Sequence, residues 1–430
     1  MSVPLGRSVV RSFLATFGVA WITLIALILL TANEAALPLD FVVRPALVAI
    51  VPAAVIALVA MPLGPARFPV AVALSAVVLL PALWPLPAAL LLIELGIWAY
   101  QRWVGRSRFA VGRFAVVSVT VIAIVSALRL APQLTDYVSA EVSGEAADGR
   151  HVYLLLLDGY PRMDSLRQLG IDNAAFIADL ESRGFQHYPG ATSVHQWTHR
   201  TLQAMVVGDP SGIPDEPGSS DEEQAIRSAL QLPPGWLAID PPASHAVMRG
   251  GINASAGGMN DFEIRLIGAS LLGKLVRDPA ASVVADSLRS HFERSLQLLV
   301  ESSSDRTFAH VLVPHPPFIY ADGISPCWPS CNIFDVSTQK LEISRAEWAE
   351  QMAVQLDHVN ARVLAAVDGI LVEHSDAVIV LFSDHGGRIN VRSAEVYRSF
   401  LAARTPERAG LFREEPHPHA ILRLVTEAYP

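Results

Sequence analysis

Up to about residue 131 the chain runs through long apolar stretches with short polar breaks, and beyond it charged and apolar segments interleave as in a globular domain. Five of the early stretches are drawn as membrane spans: Phe13–Thr31, Phe41–Met61, Phe68–Trp84, Leu86–Trp103 and Phe114–Leu130. The third and fourth are short and meet at Pro85, so a single kinked helix there would reduce the count to four. Arginine placement favours five. Arg7, Arg11, Arg67, Arg102, Arg106, Arg108 and Arg113 then share one face, with Arg44 and Arg129 as exceptions near outer ends. The expectation is a multi-pass cell-membrane anchor over residues 1–130, N-terminus cytoplasmic, with the rest of the chain extracytoplasmic. A cleaved signal peptide fits the first stretch poorly, because further spans follow and no small-residue cleavage site stands out.

Residues 131–150 are polar, acidic and Gly-containing, and read as a linker. From 151 to 430 the pattern changes to strands alternating with helices. Continuous apolar runs predict strands at Val152–Leu157, Ser244–Met248, Phe308–Val313 and Ala377–Phe382. Helices are predicted at Ala174–Arg183, where Phe176, Ile177 and Leu180 share a face and Gly184 stops the turn, and at Gln224–Leu230, Val283–Ser302, Arg345–His374 and Ala420–Ala428. Asp209–Asp221 is rich in Pro, Gly, Ser and acids and reads as a surface loop. This order predicts an α/β sandwich with a mostly parallel sheet and one large core.

Composition sharpens the picture in two places. A mean hydropathy of +0.38 and 52% hydrophobic residues are too apolar for an ordinary soluble enzyme, which agrees with the anchor. A net charge of -9 with no basic stripe outside the presumed cytoplasmic loops argues against a nucleic-acid partner. The two cysteines, Cys327 and Cys331, lie in the outer part, where a short-loop disulfide can persist. Free thiols are the competing reading, and a zinc pair lacks two more ligands at suitable spacing.

The candidate chemistry sits at strand ends. Val152–Leu157 runs into Asp158-Gly159, and Ala377–Phe382 runs into Ser383-Asp384-His385-Gly386-Gly387-Arg388. Ligands of open α/β sheets collect outside the carboxyl ends of strands, so Asp158, Asp384 and His385 are placed to converge on one cation. Taken singly, Asp158-Gly159 reads as a turn and Asp384-His385 as a helix cap with a surface histidine.

Five segments in order resemble the alkaline phosphatase superfamily. They are Leu157-Asp158-Gly159-Tyr160, the helix from Asn173 to Gly184, the Thr198 region, Pro314-His315-Pro316-Pro317-Phe318, and Ser383-Asp384-His385-Gly386. Within that superfamily the chain looks most similar to bacterial membrane-anchored sulfatase-like proteins, relatives of lipoteichoic acid synthases and phosphoethanolamine transferases. The resemblance implies a divalent metal ion, Mn, Zn, Mg or Ca, held by Asp158, Thr198, Asp384 and His385. It implies Thr198 as the nucleophile at a helix start, with Thr201 a close competitor and Ser193 a distant one, against the plainer reading of Thr198 as a helix cap. His315 matches a substrate-binding histidine that protonates the leaving alkoxide or holds a phosphate oxygen, and Arg388 is a phosphate clamp. His310, His195 and His199 are weaker candidates. His417 and His419 would cap a second metal site only if the Pro416–Pro418 segment were not an extended loop.

Two departures qualify the resemblance. Many lipoteichoic acid synthase relatives carry Glu where this chain has Asp158, which shortens the ligand arm. The Thr198-His199-Arg200-Thr201-Leu202 segment lacks both the Cys or Ser and the proline from which classical sulfatases mature their nucleophile. The resemblance therefore implies a hydrolase or transferase acting on phosphate esters, with membrane lipids as neighbours and an envelope lipid or glycan as substrate. A sulfate ester hydrolase of the same fold and an inactive membrane-anchored scaffold or binding module are the rival readings.

Overall fold

The structure, a computed structural model, describes residues 5–34, 40–79, 150–214, 230–241, 248–269, 277–321, 343–389 and 393–430. The chain forms two compact units, Met1–Ser139 with Phe262–Arg277, and Ala140–Asp261 with Asp278–Pro430.

In the first unit, the first expected span lies within a helix at Leu5–Glu34. The second falls on the helices Asp40–Val48 and Ile50–Ala60, and the third begins in the helix Arg67–Leu79. Among the described residues one helical stretch, Val43–Leu63, is long and apolar enough by length and composition to cross a membrane, and Val9–Ile25 is a shorter apolar helix. The expected spans Leu86–Trp103 and Phe114–Leu130 lie outside the described residues. Small residues let these helices approach: Ala20, Ala49, Ala53, Ala60 and Ala71 are buried in one cluster with Leu24, Ile28 and Ile56. Phe262 is buried in the same cluster, although the sequence reading assigned its segment to the outer domain. Arg44, an exception to the charge pattern, pairs with Glu263.

The second unit is built on a seven-stranded sheet of order β2-β7-β6-β1-β5-β3-β4. The strands are β1 Val152–Leu157, β2 Gln186–His187, β3 Trp236–Asp240, β4 Ile252–Ser255, β5 Arg306–Val311, β6 Val378–Phe382 and β7 Leu401–Arg404. β6, β1, β5, β3 and β4 are mutually parallel, and β7 and β2 add antiparallel pairings at one edge. The mostly parallel α/β sheet expected from the sequence is therefore present. Every residue of β1 and β6 is buried, which is why both read as unbroken apolar runs with no alternation. On one face Leu154, Leu156, Phe308, Val380 and Phe382 pack with Leu202 and Met205 of the helix Thr198–Val207 and with Ile421, Leu422 and Val425 of the helix Ile421–Ala428.

The long helices Arg277–Val300 and Arg345–Glu373 also belong to this unit and meet where Gly369 leaves room for Val300. The second of them opens on a capping box, Ser344 Oγ accepting from Glu347 N and Glu347 answering to Ser344 N. Two expectations need revision. β5 starts two residues before the expected strand, at Arg306. Met248 lies in no strand and the rest of Ser244–Met248 falls outside the described residues, while the nearby strand is β3 between two proline pairs. Of the expected helix Gln224–Leu230 only Leu230 is described, outside any helix; the rest of it and the cysteines Cys327 and Cys331 lie outside the described residues.

Candidate active site

β1 is flanked by β6 and β5, all parallel, so their carboxyl ends deliver three groups of side chains to one edge of the sheet. Asp158 follows β1, Ser383-Asp384-His385 follow β6, and β5 carries His310 before leading to His315. The Asp158-Gly159 turn is tight. Gly159 has φ +64°, and a Cβ there would come within 3.0 Å of His315 Cδ2 and 3.2 Å of His385 Cε1. Gly386 is equally constrained, because its N–H donates to Val396 O at 2.7 Å and a Cβ would press on the carbonyl oxygens of Glu395 and Arg398.

The loop ends are tied by satisfied polar networks. Tyr160 donates to Asn360 Oδ1, Asn360 Nδ2 to Asn173 Oδ1, and Asn173 Nδ2 to the Tyr160 hydroxyl, each at 2.7 Å. Ser383 Oγ donates to Tyr160 O at 2.9 Å and accepts from Phe400 N at 2.8 Å. Two strand ends distant in sequence are thereby locked together.

Inside this frame four side chains converge. His385 Nε2 is 3.5 Å from Asp158 Oδ1 and 3.4 Å from Asp384 Oδ2. These three atoms are buried and lack hydrogen-bond partners. Each such atom costs on the order of 1–3 kcal/mol if left unsatisfied, and a cation bound by all three offsets that cost. Asp158, His315 and His385 also present ligand atoms within 4.8 Å of one another. The donor set, carboxylate oxygens with imidazole nitrogens, suits a divalent ion such as zinc or manganese.

Hydrogen bonds fix the imidazole tautomers. His385 Nδ1 is 2.8 Å from Gly386 O and His315 Nδ1 is 2.6 Å from Pro316 O. A carbonyl only accepts, so each Nδ1 carries the proton and each neutral ring has its lone pair on Nε2. Burial pushes His315 down to about 4 and depresses His385 as well, keeping both rings neutral near pH 7. Burial alone would raise Asp384, but His385, the Thr198 hydroxyl and the Gly159 N–H outweigh it and hold the carboxyl below its usual range. His310 titrates above its ordinary value: burial lowers it, and the bond to Asp158 with the charges of Asp158, Asp240 and Asp384 more than compensates.

Thr198 is the first residue of its helix, and Trp197 before it is the N-cap. The Thr198 hydroxyl acts to lower the Asp384 carboxyl, and Trp197 rather than Thr198 takes the N-cap position, so the plain capping reading does not describe it. The competitors are occupied otherwise: Thr201 Oγ1 donates to the backbone of Asp384 at 3.1 Å, and Ser193 Oγ to that of His195 at 2.8 Å. Arg388 donates to Gln196 O at 2.6 Å, lies 4.7 Å above the Trp197 ring, and its charge reaches His315 and His385. His417 is bonded to Thr192 O at 2.8 Å and stacks on His419, with ring centres 5.4 Å apart; neither is in the ligand cluster around Asp158. His195 is buried beside Ser193 and His199 is half-buried in the first turn of the Thr198 helix.

Two contributors carry more weight than the sequence reading gave them. His310 Nε2 reaches Asp158 Oδ2 at 3.2 Å, and Gln355 grips the His315 loop. A histidine within the apolar run from Phe308 to Val313 was the available signal for the first.

No family model and no curated protein matches the sequence. Solved structures similar to this chain include the zinc complex of the C-terminal periplasmic domain of EcEptC from Escherichia coli, at 12% identity over 68% of this chain and 84% of that one, TM-score 0.38. The phosphonate monoester hydrolase of Agrobacterium radiobacter matches at 11% identity over 65% and 73%, TM-score 0.41. The integral membrane lipooligosaccharide phosphoethanolamine transferase A of Neisseria meningitidis matches at 13% over 93% and 77%, TM-score 0.35. Overlaps of this extent assign no residue a role, and the chemistry rests on the side chains themselves.

Proposed function

We propose that this chain is a multi-pass membrane protein whose extracytoplasmic α/β domain is a metal-dependent hydrolase or transferase of phosphate esters, with Thr198 as nucleophile. The observation that carries this reading is the convergence of three partnerless buried atoms, Asp158 Oδ1, Asp384 Oδ2 and His385 Nε2, with the helix that Thr198 opens tied to Asp384 through Thr201 Oγ1. Asp158, Asp384 and His385 would hold the divalent ion together with Thr198, and His315 Nε2 is within the same ligand cluster. When bound, the ion supplies positive charge to polarise an ester oxygen and to favour the ionised form of the nucleophile.

The chain's own residues account for the remaining steps. Thr198 Oγ forms a bond to phosphorus as the bond to the leaving oxygen breaks, and its proton ends on the released alcohol. The amide groups at the start of the Thr198–Val207 helix face negative charge favourably. Arg388, half-immobilised against Trp197, offers a planar pair of donors for the phosphoryl oxygens. A neutral His315 with its proton on Nδ1 is a poor acid at Nε2, so it fits the role of ligand or proton acceptor better than donor to the leaving alkoxide. Water or an acceptor hydroxyl then displaces phosphorus from Thr198 and restores the free side chain. Confinement to a membrane favours a lipid or envelope-glycan substrate.

The test uses the full chain in detergent with zinc, manganese, magnesium or calcium, acting on bis-p-nitrophenyl phosphate and p-nitrophenyl sulfate beside Thr198→Ala. Metal-dependent phosphodiester cleavage abolished by the substitution is expected. Cleavage of the sulfate alone would overturn the phosphoester reading, and a folded chain inert on both with every metal would support a scaffold.

A further inference from the structure

We propose that Gln355 is the positioning residue for His315, acting through the backbone of the loop that carries it. This rests on the reading of His315 as part of the active site given above.

The loop poses an unusual hydrogen-bonding problem. Residues Val313 to Ile319 are all buried, and Pro314, Pro316 and Pro317 have no N–H to donate. The carbonyls here cannot be served by a regular turn or ladder, yet each buried carbonyl needs a donor. Pro316 O takes its proton from the ring of His315 itself, at 2.6 Å. Pro317 O accepts from Ile319 N at 2.8 Å. Pro314 O and His315 O are served from outside the loop, by the Gln355 amide, at 3.2 and 3.3 Å, and the same nitrogen also approaches Pro317 O at 3.3 Å.

Gln355 is fully buried on the helix Arg345–Glu373 and its amide has one orientation. Its Oε1 accepts from Tyr320 N at 3.2 Å, so Nε2 must face the carbonyls. One side chain thus holds both flanks of His315. The His315 N–H itself donates to Asp158 O at 2.9 Å, and at the far end of the loop Arg289 Nε donates to Ile319 O at 2.7 Å. Between these fixings the imidazole is left with its Nε2 toward Asp158 and His385. Among the described residues the Gln355 amide hydrogen-bonds only the loop and Tyr320, so its hydrogen bonds are devoted to this one segment.

The test is a double-mutant cycle on the full chain in detergent. Gln355→Met keeps length and burial but removes the donors, and Gln355→Glu sets a carboxylate against three carbonyl oxygens. Each is made in the native and the His315→Ala backgrounds, and read by zinc affinity against a chromophoric chelator, by phosphodiester turnover and by unfolding temperature. In the native background Gln355→Met is expected to lower zinc affinity or turnover about tenfold to a hundredfold. In the His315→Ala background the same change is expected to alter them less than about twofold, because the residue it positions is gone. Equal losses in both backgrounds would show a merely structural role, and no loss in the native background would overturn the proposal outright. Should Gln355→Glu fail to fold, Gln355→Met decides. If the chain cleaves no ester with any metal, the proposed function fails while the zinc cycle still judges Gln355.

Discussion

His310 Nε2 lies 3.2 Å from Asp158 Oδ2, which commits one oxygen of that carboxylate to the sheet and leaves the other, Oδ1, 3.5 Å from His385 Nε2. The pairing is between neighbouring parallel strands, β5 and β1, and both side chains are buried. A carboxylate held at one oxygen is oriented at the other, which is how outer partners tune metal ligands.

Replacing His310 by Leu is therefore expected to weaken metal binding about tenfold to a hundredfold without removing any ligand. His310→Gln, which can still donate to Asp158, is expected to lose less. Chelator competition with zinc reads both, and equal affinity for all three proteins would exclude the orienting role.

Gly159 is the one residue between Asp158 and Tyr160 that the turn accepts. Gly159→Ala puts a side chain at φ +64° and against His315 and His385, at 3.0 and 3.2 Å. Left-handed strain alone costs about 1–3 kcal/mol, so a lower unfolding temperature is expected. Because both contacted rings belong to the site, metal affinity is expected to fall with it, and an unchanged affinity would show that the rings move aside freely.

Tyr160→Phe opens the ring of hydrogen bonds with Asn173 and Asn360. Two buried amides then lose a partner, and a loss of about 1–3 kcal/mol in unfolding free energy is expected from denaturant titration. A neutral result would mean that the amides re-pair without the hydroxyl.

Asp240 at the end of β3 gives the α/β unit a pH signature. Burial raises its carboxyl from 3.8 to about 7, against the opposing effects of His310, Met248 N and Arg249. Between those two pH values the folded form holds a proton that the unfolded form has released. Its contribution is thus fully present below 3.8 and is lost as pH rises through about 7. Asp240→Asn keeps an oxygen for Met248 N and removes the titration, so it is expected to raise stability above pH 7 by up to roughly 4 kcal/mol. Unfolding curves of the two proteins that run parallel across this range would contradict the assignment.

What the sequence revealed follows from what was local. β1 and β6 are buried on both faces, so each is a plain apolar run, and the acids just beyond them, Asp158 and Asp384, stood out. The helix Arg345–Glu373 was readable from its apolar pattern, while its Ser344/Glu347 capping box came to light only in the structure. β2 and β7, at two and four residues, are too short for any period, and their pairing is set by the rest of the sheet. β3 was hidden between prolines that read as loop. His310 and Gln355 act across 152 and about 40 residues of chain respectively. Their partners exist only once the fold is formed; the trace they leave in sequence is a polar residue at a position the apolar pattern marks as buried.

The central claim is that Thr198 is the nucleophile. The most direct measurement is acid quench of the metal-supplemented full chain during turnover of bis-p-nitrophenyl phosphate, followed by peptide mass spectrometry. One p-nitrophenol released per chain in a first phase, with a p-nitrophenyl phosphoryl ester on Thr198, is the expected result. Steady turnover with the ester on another residue, or undiminished turnover in Thr198→Ala, would contradict it.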